Sequence, residues 1–213
     1  VLAQVADTSI PFEKRREAIL ATARRGDVAG LRELMAVGDA GVYASYAAVE
    51  ALGELRKPAL ATEARTYLER KLADPDSQLA RAAIAGYSRL LGPSATPELV
   101  AALDRNRERT DGYQELVCLT IVRCLAAQPE PSAVKSLEGE LERVGCGVWG
   151  LEYGSEVVAA LGRIGTPAAR AAAGRYADRL AAEMPNDPLA KRNSEDRIAE
   201  ARSVANVVAT TVH

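Results

Sequence analysis

Apolar residues recur along this chain with the spacing of a helix face. Val134, Leu137, Leu141 and Val144 stand three, four and three positions apart, which places them on one stripe of a helix that follows Pro131. Leu60, Ala64, Tyr67 or Leu68, and Leu72 trace the same stripe after Pro58, while Ala83, Gly86, Tyr87 and Leu90 form a face of alternating small and large residues. Extended along the chain, this periodicity predicts helices at about 11–25, 28–37, 40–56, 59–73, 76–91, 96–109, 113–127, 131–144, 152–164, 167–183 and 188–211.

The breaks between these segments have their own chemistry. In Asp74-Pro75-Asp76, Asp74 is placed to cap exposed amides while Pro75 takes a first helical position, where a missing N–H costs nothing. Thr96-Pro97, Thr166-Pro167 and Asp187-Pro188 repeat the device. Gly53, Gly92, Gly145 and Gly165 fall near hairpin breaks or crossings, where a turn or a close approach excludes a side chain.

Helix, Gly/Pro break, helix and polar break recur as a unit. The marker prolines Pro58, Pro93, Pro129 and Pro167 are separated by 35, 36 and 38 residues, a period that belongs to helical solenoids. A hairpin with one apolar stripe cannot bury it alone, so each needs a neighbour. The pattern therefore predicts an all-α fold, a right-handed α-solenoid (α-α superhelix) of about five helical hairpins. One domain over residues 1–213 is expected: a capping hairpin at 1–39, central repeats over 40–183 and a capping helix at 184–213.

Composition sharpens this picture. The chain is 48% hydrophobic but only 4% aromatic, with a single Phe, so Ala, Leu and Val must supply the packing, which suits closely approaching helices better than a sheet. Acids and bases nearly cancel to a net charge of -2, which disfavours indiscriminate nucleic-acid binding. No apolar run reaches the length of a membrane span. Cys118 and Cys124 lie six apart on different faces of one predicted helix, so a disulfide between them is not expected; with Cys146 they read as small hydrophobes, and a reducing, cytoplasmic setting is expected.

ALGELRKPAL from Ala51, AALGRIGTPAA from Ala159 and DPDSQLARAAIAGYSRLLGPSA from Asp74 resemble the short bacterial form of HEAT repeats, including those named after bilin lyases. Asp74, Asp76, Arg81, Ala82, Ala83, Leu91, Gly92 and Pro93 match the pattern of acidic turn, Arg-Ala-Ala helix and Leu-Gly break, and the likeness covers roughly residues 40–183. The unit from Cys118 departs from it in RCLAAQPEP, without a Gly at the break, and a Gly-rich loop from Val144 to Gly154, carrying Trp149, replaces the acidic turn. HEAT proteins include scaffolds, adaptors, bilin lyases and DNA glycosylases, so the resemblance implies a fold rather than an activity.

The resemblance also implies that the second helix of each hairpin lines an inner surface. There Arg70, Arg107, Arg109, Arg143, Arg175 and Arg179 stand beside Glu63, Glu69, Glu138 and Glu142, a mixed row suited either to clamping a polar peptide or to simple ion pairing in water. Trp149, the only Trp, and Tyr153 are the other candidate partner contacts, with Trp149 folded back on its hairpin as the competing reading. Tyr43, Tyr46 and Tyr87 read as core or crossing residues with a hydroxyl near the edge. The sole histidine is His213, so no catalytic residues, metal ligands or cofactor are expected. The expected function is a non-catalytic scaffold or adaptor for another protein or peptide; the alternatives are a DNA-binding or DNA-repair protein and a bilin-lyase-like enzyme or chaperone.

Overall fold

A computed structural model describes residues 2–55, 57–108, 112–144 and 148–207, with the side chains of residues 2 and 148–151 outside that description. Among the described residues the regular elements are all helical: α1 (Leu2–Ala6), α2 (Phe12–Arg25), α3 (Val28–Asp39), α4 (Ser45–Ala51), α5 (Pro58–Lys71), α6 (Ser77–Leu91), α7 (Thr96–Arg107), α8 (Gln114–Ala127), α9 (Val134–Arg143), α10 (Val148–Ile164), α11 (Pro167–Ala182) and α12 (Pro188–Ala205). Short 3₁₀ turns extend α4 at Leu52–Glu54 and lead into α7 and α9 at Gly92–Ala95 and Pro131–Ala133. No described helix is long and apolar enough to cross a membrane. The chain divides into two compact units, residues 1–121 and 122–213, with the division inside α8.

The predicted helices stand close to where the apolar stripes put them, with four informative differences. The Gly-rich loop expected from Val144 to Gly154 is helical from Val148, so α10 starts four residues before the expected 152 and carries Trp149, with Gly154 making room for the Tyr176 hydroxyl rather than turning the chain. The expected 40–56 helix starts only at Ser45, because Gly41 turns the chain with a left-handed φ of 64°. The cap of α6 is Asp76, whose Oδ1 accepts from Gln78 N and Leu79 N, while Asp74 accepts from Asp76 N in the preceding turn. Thr96 does not cap α7; it is its first residue, and Ala95 precedes it. Thr166 and Asp187 do cap α11 and α12, each followed by proline.

In the first unit, α4 packs on α6 at the closest backbone approach described here. A Cβ on Gly53 would lie 2.6 Å from the Gly86 carbonyl oxygen and 2.8 Å from its Cα, so only hydrogen fits between these helices. Arg89 of α6 closes the crossing with Glu50 at 3.0 Å and Glu54 at 3.1 Å. Arg81 of α6 donates to Thr120 of α8 at 3.1 Å. The alternate helices are tied in parallel: the Tyr67 hydroxyl of α5 reaches Asp39 of α3 at 3.0 Å, and buried Asn106 of α7 donates to the Leu72 carbonyl at 3.2 Å. Tyr87 joins the two rows by donating to Glu69 at 2.9 Å.

The second unit repeats these ties. Arg123 of α8 pairs with Glu156 of α10 at 2.7 Å, Ser155 of α10 donates to Glu200 of α12 at 2.7 Å, and Arg175 of α11 pairs with Glu138 of α9. α12 packs against both α10 and α11. Pro58, Tyr67 and Arg70 in the first unit and Pro167, Tyr176 and Arg179 in the second keep identical spacing along the chain. In each case the arginine lies over the tyrosine ring, at 5.6 Å and 5.5 Å from its centroid. Each tyrosine hydroxyl also fills the space beside a helical glycine, Gly38 or Gly154, where a Cβ would overlap it. The arrangement is thus repeat-like helix packing, with core layers of Ala, Leu and Val broken by a few tyrosines.

Two outcomes follow from this packing. Gly53→Ala should cost about 2–4 kcal/mol because backbone rather than a yielding side chain opposes the new methyl, whereas Gly139→Ala, with open space around it on α9, should be neutral or stabilise by up to about 1 kcal/mol; urea unfolding of both variants checks the contrast. The Tyr87 phenol is pushed up to about 12 by burial first and its hydrogen bond to Glu69 second. Its contribution is complete below the ordinary phenol value of 10.0 and is lost as pH rises toward about 12. The urea midpoint should therefore fall across that alkaline window, and less steeply in Tyr87→Phe.

Candidate functional site

The second-helix arginines are largely engaged by the protein itself. Arg70 covers the Tyr67 ring, and Arg107 pairs with Asp104 on its own helix. Arg175 is held by Glu138, its Nε at 2.8 Å. Arg179 donates to the carbonyls of Leu141 and Val144 at the end of α9, the latter at 2.9 Å, and lies 3.8 Å from Glu183. These two arginines and Glu138 border a small cavity of about 100 Å³. Arg143 is exposed at the last residue of α9. Tyr153 is half-buried and donates at 2.6 Å to Glu140, a carboxylate almost fully buried on α9. Trp149 belongs to α10, but its side chain lies outside the described residues, as do Arg109, Cys146 and His213 altogether. Cys118 is buried and Cys124 half-buried, both within α8.

A cavity of about 620 Å³ lies elsewhere, in the first unit across the N-terminal ends of α4, α6 and α8. Tyr43 and Tyr46 form its α4 side, Gln78, Leu79 and Arg81 its α6 floor, and Tyr113 and Leu116 its α8 side. Tyr43 is 65% exposed, Tyr113 52% and Leu116 40%. Six large apolar side chains are exposed among the described residues, and these three share one groove, so their exposure is not the scatter any surface carries.

Local structure fixes the rings. Gly41 and Gly112 both take left-handed φ, 64° and 79°, and turn the chain just ahead of Tyr43 and Tyr113. Tyr43 then stands edge-on to Phe12 at 5.3 Å and to Tyr46 at 5.6 Å, while Phe12 stacks on Tyr46 at 5.9 Å. Burial first, and a hydrogen bond with Tyr43 second, hold the Tyr46 phenol above its ordinary value, so the ring stays neutral at physiological pH. Four of the chain's nine aromatic residues, Phe12, Tyr43, Tyr46 and Tyr113, are thereby gathered in or behind one groove.

The polar lining is mixed. Arg81 offers only donors, while the Gln78 amide and the tyrosine hydroxyls both donate and accept. Among the described residues Asp76 is the only carboxylate on the wall, and its Oδ1 already accepts from Gln78 N at 2.8 Å and Leu79 N at 3.3 Å. Such a surface sets apolar ring faces beside groups that can both donate and accept hydrogen bonds.

The sequence reading did not single out this site. Tyr43 was expected at a core or crossing position, and it is instead the most exposed of the groove's rings, because Gly41 lifts it out of α4. Tyr87 does occupy the core with its hydroxyl at the edge. A glycine one or two residues ahead of a tyrosine at two helix entries, Gly41/Tyr43 before α4 and Gly112/Tyr113 before α8, is the signal that could have found the groove. Compared with models of known protein families and with curated protein sequences, the chain matches none.

The roles of the arginines are separable by stability. Arg179→Ala removes the donor from two carbonyls that close α9 and should cost about 1–3 kcal/mol. Arg175→Ala breaks one exposed pair and should cost no more than about 1 kcal/mol. Arg143→Ala should lie within about 0.5 kcal/mol of the parent. Equilibrium urea unfolding of the three variants gives the ranking.

Proposed function

We propose that this chain is a non-catalytic binding module of HEAT-like repeats, an α-solenoid of about five hairpins, that holds another protein through a peptide segment seated in the groove between Tyr43 and Tyr113. In this reading the hairpins are α2/α3, α4/α5, α6/α7, α8/α9 and α10/α11, with α12 closing the series. The observation that carries it is the convergence of Tyr43, Tyr113 and Leu116, all exposed, on one cavity in a chain that is only 4% aromatic. Rigid, amphipathic rings of this kind are efficient interface anchors, because they present large area with little side-chain entropy to lose.

The engagement of Arg107, Arg175 and Arg179 by carboxylates and carbonyls supports a peptide over a nucleic-acid partner, since a phosphate backbone is held by arginines whose charge is available to it. Selection of a random peptide library on the purified chain tests the reading. The parent protein should enrich a family of sequences whose affinity drops at least about tenfold in the double variant Tyr43→Ala/Tyr113→Ala. Enrichment that the double variant leaves intact would remove the groove from the proposal. Salt-dependent binding of duplex DNA with no peptide enrichment would replace the proposal with the DNA-binding alternative.

A further inference from the structure

A second groove in the first unit, separate from the one between Tyr43 and Tyr113, carries a different chemistry. It has a volume of about 420 Å³ and runs along α4, with Arg16, Leu20 and Arg24 of α2 on one side and Arg89 of α6 on the other. We propose that this groove docks an acidic α-helix of a protein partner, whose carboxylates pair with Arg16 and Arg24.

The charges of the groove are unevenly matched. Both acids on its α4 side are held by Arg89, Glu50 at 3.0 Å and Glu54 at 3.1 Å. Arg16 and Arg24 are exposed, and neither forms an ion pair among the described residues. The nearest acids past the end of α2 are already taken, since Arg25 pairs with Asp27 at 3.3 Å and with Glu33 at 3.1 Å. Three arginines against two glutamates leave a surplus of one positive charge in the lining, and the unmatched guanidiniums stand on the α2 side. Each offers donors only, in a fork that fits one carboxylate.

Spacing and shape select a helix as the carrier of those carboxylates. Arg16, Leu20 and Arg24 follow one another at four-residue steps and share one stripe of α2, so the two arginines are separated by about 12 Å of helix at 1.5 Å per residue. A partner helix with two acids at the same separation and an aliphatic residue midway copies that stripe, charge against charge and methyl against Leu20. The floor admits it: α4 is flanked by α2 and α6 and backed by α3, and its open side carries the small, buried Ala47 and Ala51. A furrow between packed helices is the shape that receives a further helix.

Duplex DNA, the other polyanion, is a poorer match. It carries one charge per about 1.7 Å of axis, or about seven over the length from Arg16 to Arg24, against a lining whose surplus is a single charge. Its phosphates would also face Glu50 and Glu54 across the floor. An amphipathic acidic helix supplies one carboxylate per guanidinium and turns neutral residues to the glutamates.

The test is fluorescence anisotropy on the full chain with a labelled alanine-rich helical peptide in which Glu, Leu and Glu follow the same four-residue steps as Arg16, Leu20 and Arg24. It should bind saturably, and its affinity should fall at least about tenfold when both glutamates become glutamine, when a central proline breaks the helix, or in the double variant Arg16→Glu/Arg24→Glu. A peptide with lysine at both acidic positions should bind that variant at least about tenfold more tightly than it binds the parent, a reversal that loss of folding cannot produce. Circular dichroism melts of the variant should lie within about 3 °C of the parent, since both arginines are exposed. Tyr43→Ala/Tyr113→Ala should change the affinity less than about twofold, so this site and the tyrosine groove stand or fall separately. Absence of saturable binding, equal binding of the glutamine or proline peptide, or an affinity that charge reversal leaves intact overturns the proposal. Binding of a duplex oligonucleotide that depends on Arg16 and Arg24 and outcompetes the acidic peptide overturns it in favour of a nucleic-acid surface.

Discussion

The contact between Gly53 and Gly86 sets the scale on which the first unit is built. A methyl group on Gly53 would sit 2.6 Å from a carbonyl oxygen, so the spacing of α4 and α6 is dictated by backbone rather than by side chains. Helices rich in alanine permit this approach, and at such range side chains that leave one helix meet the next without long reach. Arg89 can therefore grip both Glu50 and Glu54, and Tyr87 can reach Glu69. The same closeness brings the N-terminal ends of α4, α6 and α8 onto one surface, where three loops contribute to a single groove.

Much of the fold was legible because its determinants are local. Stripes such as Leu60–Ala64–Leu68–Leu72 and Val134–Leu137–Leu141–Val144 are properties of one helix, and every one of those residues is buried. Thr166 and Asp187 cap the helices that their prolines announce, since cap and helix are adjacent in the chain. Where two acids compete for one cap, as at Asp74 and Asp76, composition names the motif but not the residue. The choice is made by the backbone turn that Asp74 itself closes on Asp76 N.

The groove was not legible, and the reason is physical. Whether Tyr43 is core or surface depends on a left-handed turn at Gly41 and on a loop that arrives some seventy residues later at Tyr113. Periodicity counts both as apolar and cannot tell a ring that fills a crossing, such as Tyr87, from one that borders a cavity. The arginine row shows the opposite situation: residue type and helix face were visible, but not that Arg175 would meet Glu138 or that Arg179 would reach the carbonyls of Leu141 and Val144. Those partners lie one repeat away, and an arginine in a repeat protein has the preceding hairpin's acids and helix end as its nearest competitors for any outside ligand.

That competition bears on how a module of this kind divides its surface. Charged side chains placed at repeat spacing satisfy one another from hairpin to hairpin, as Arg89, Arg123 and Arg175 do. Exposed pairs of this type add little stability singly, but they fix the register of one hairpin on the next. Aromatic rings cannot be neutralised in this way; they are either buried by a neighbour, as Tyr67 and Tyr176 are beside Gly38 and Gly154, or left partly exposed, as Tyr43 and Tyr113 are. In a helical-repeat protein with so few rings, those that stay exposed are set apart by backbone rather than by pairing, and Tyr43 and Tyr113 are exposed at helix entries where the glycine turns at Gly41 and Gly112 redirect the chain.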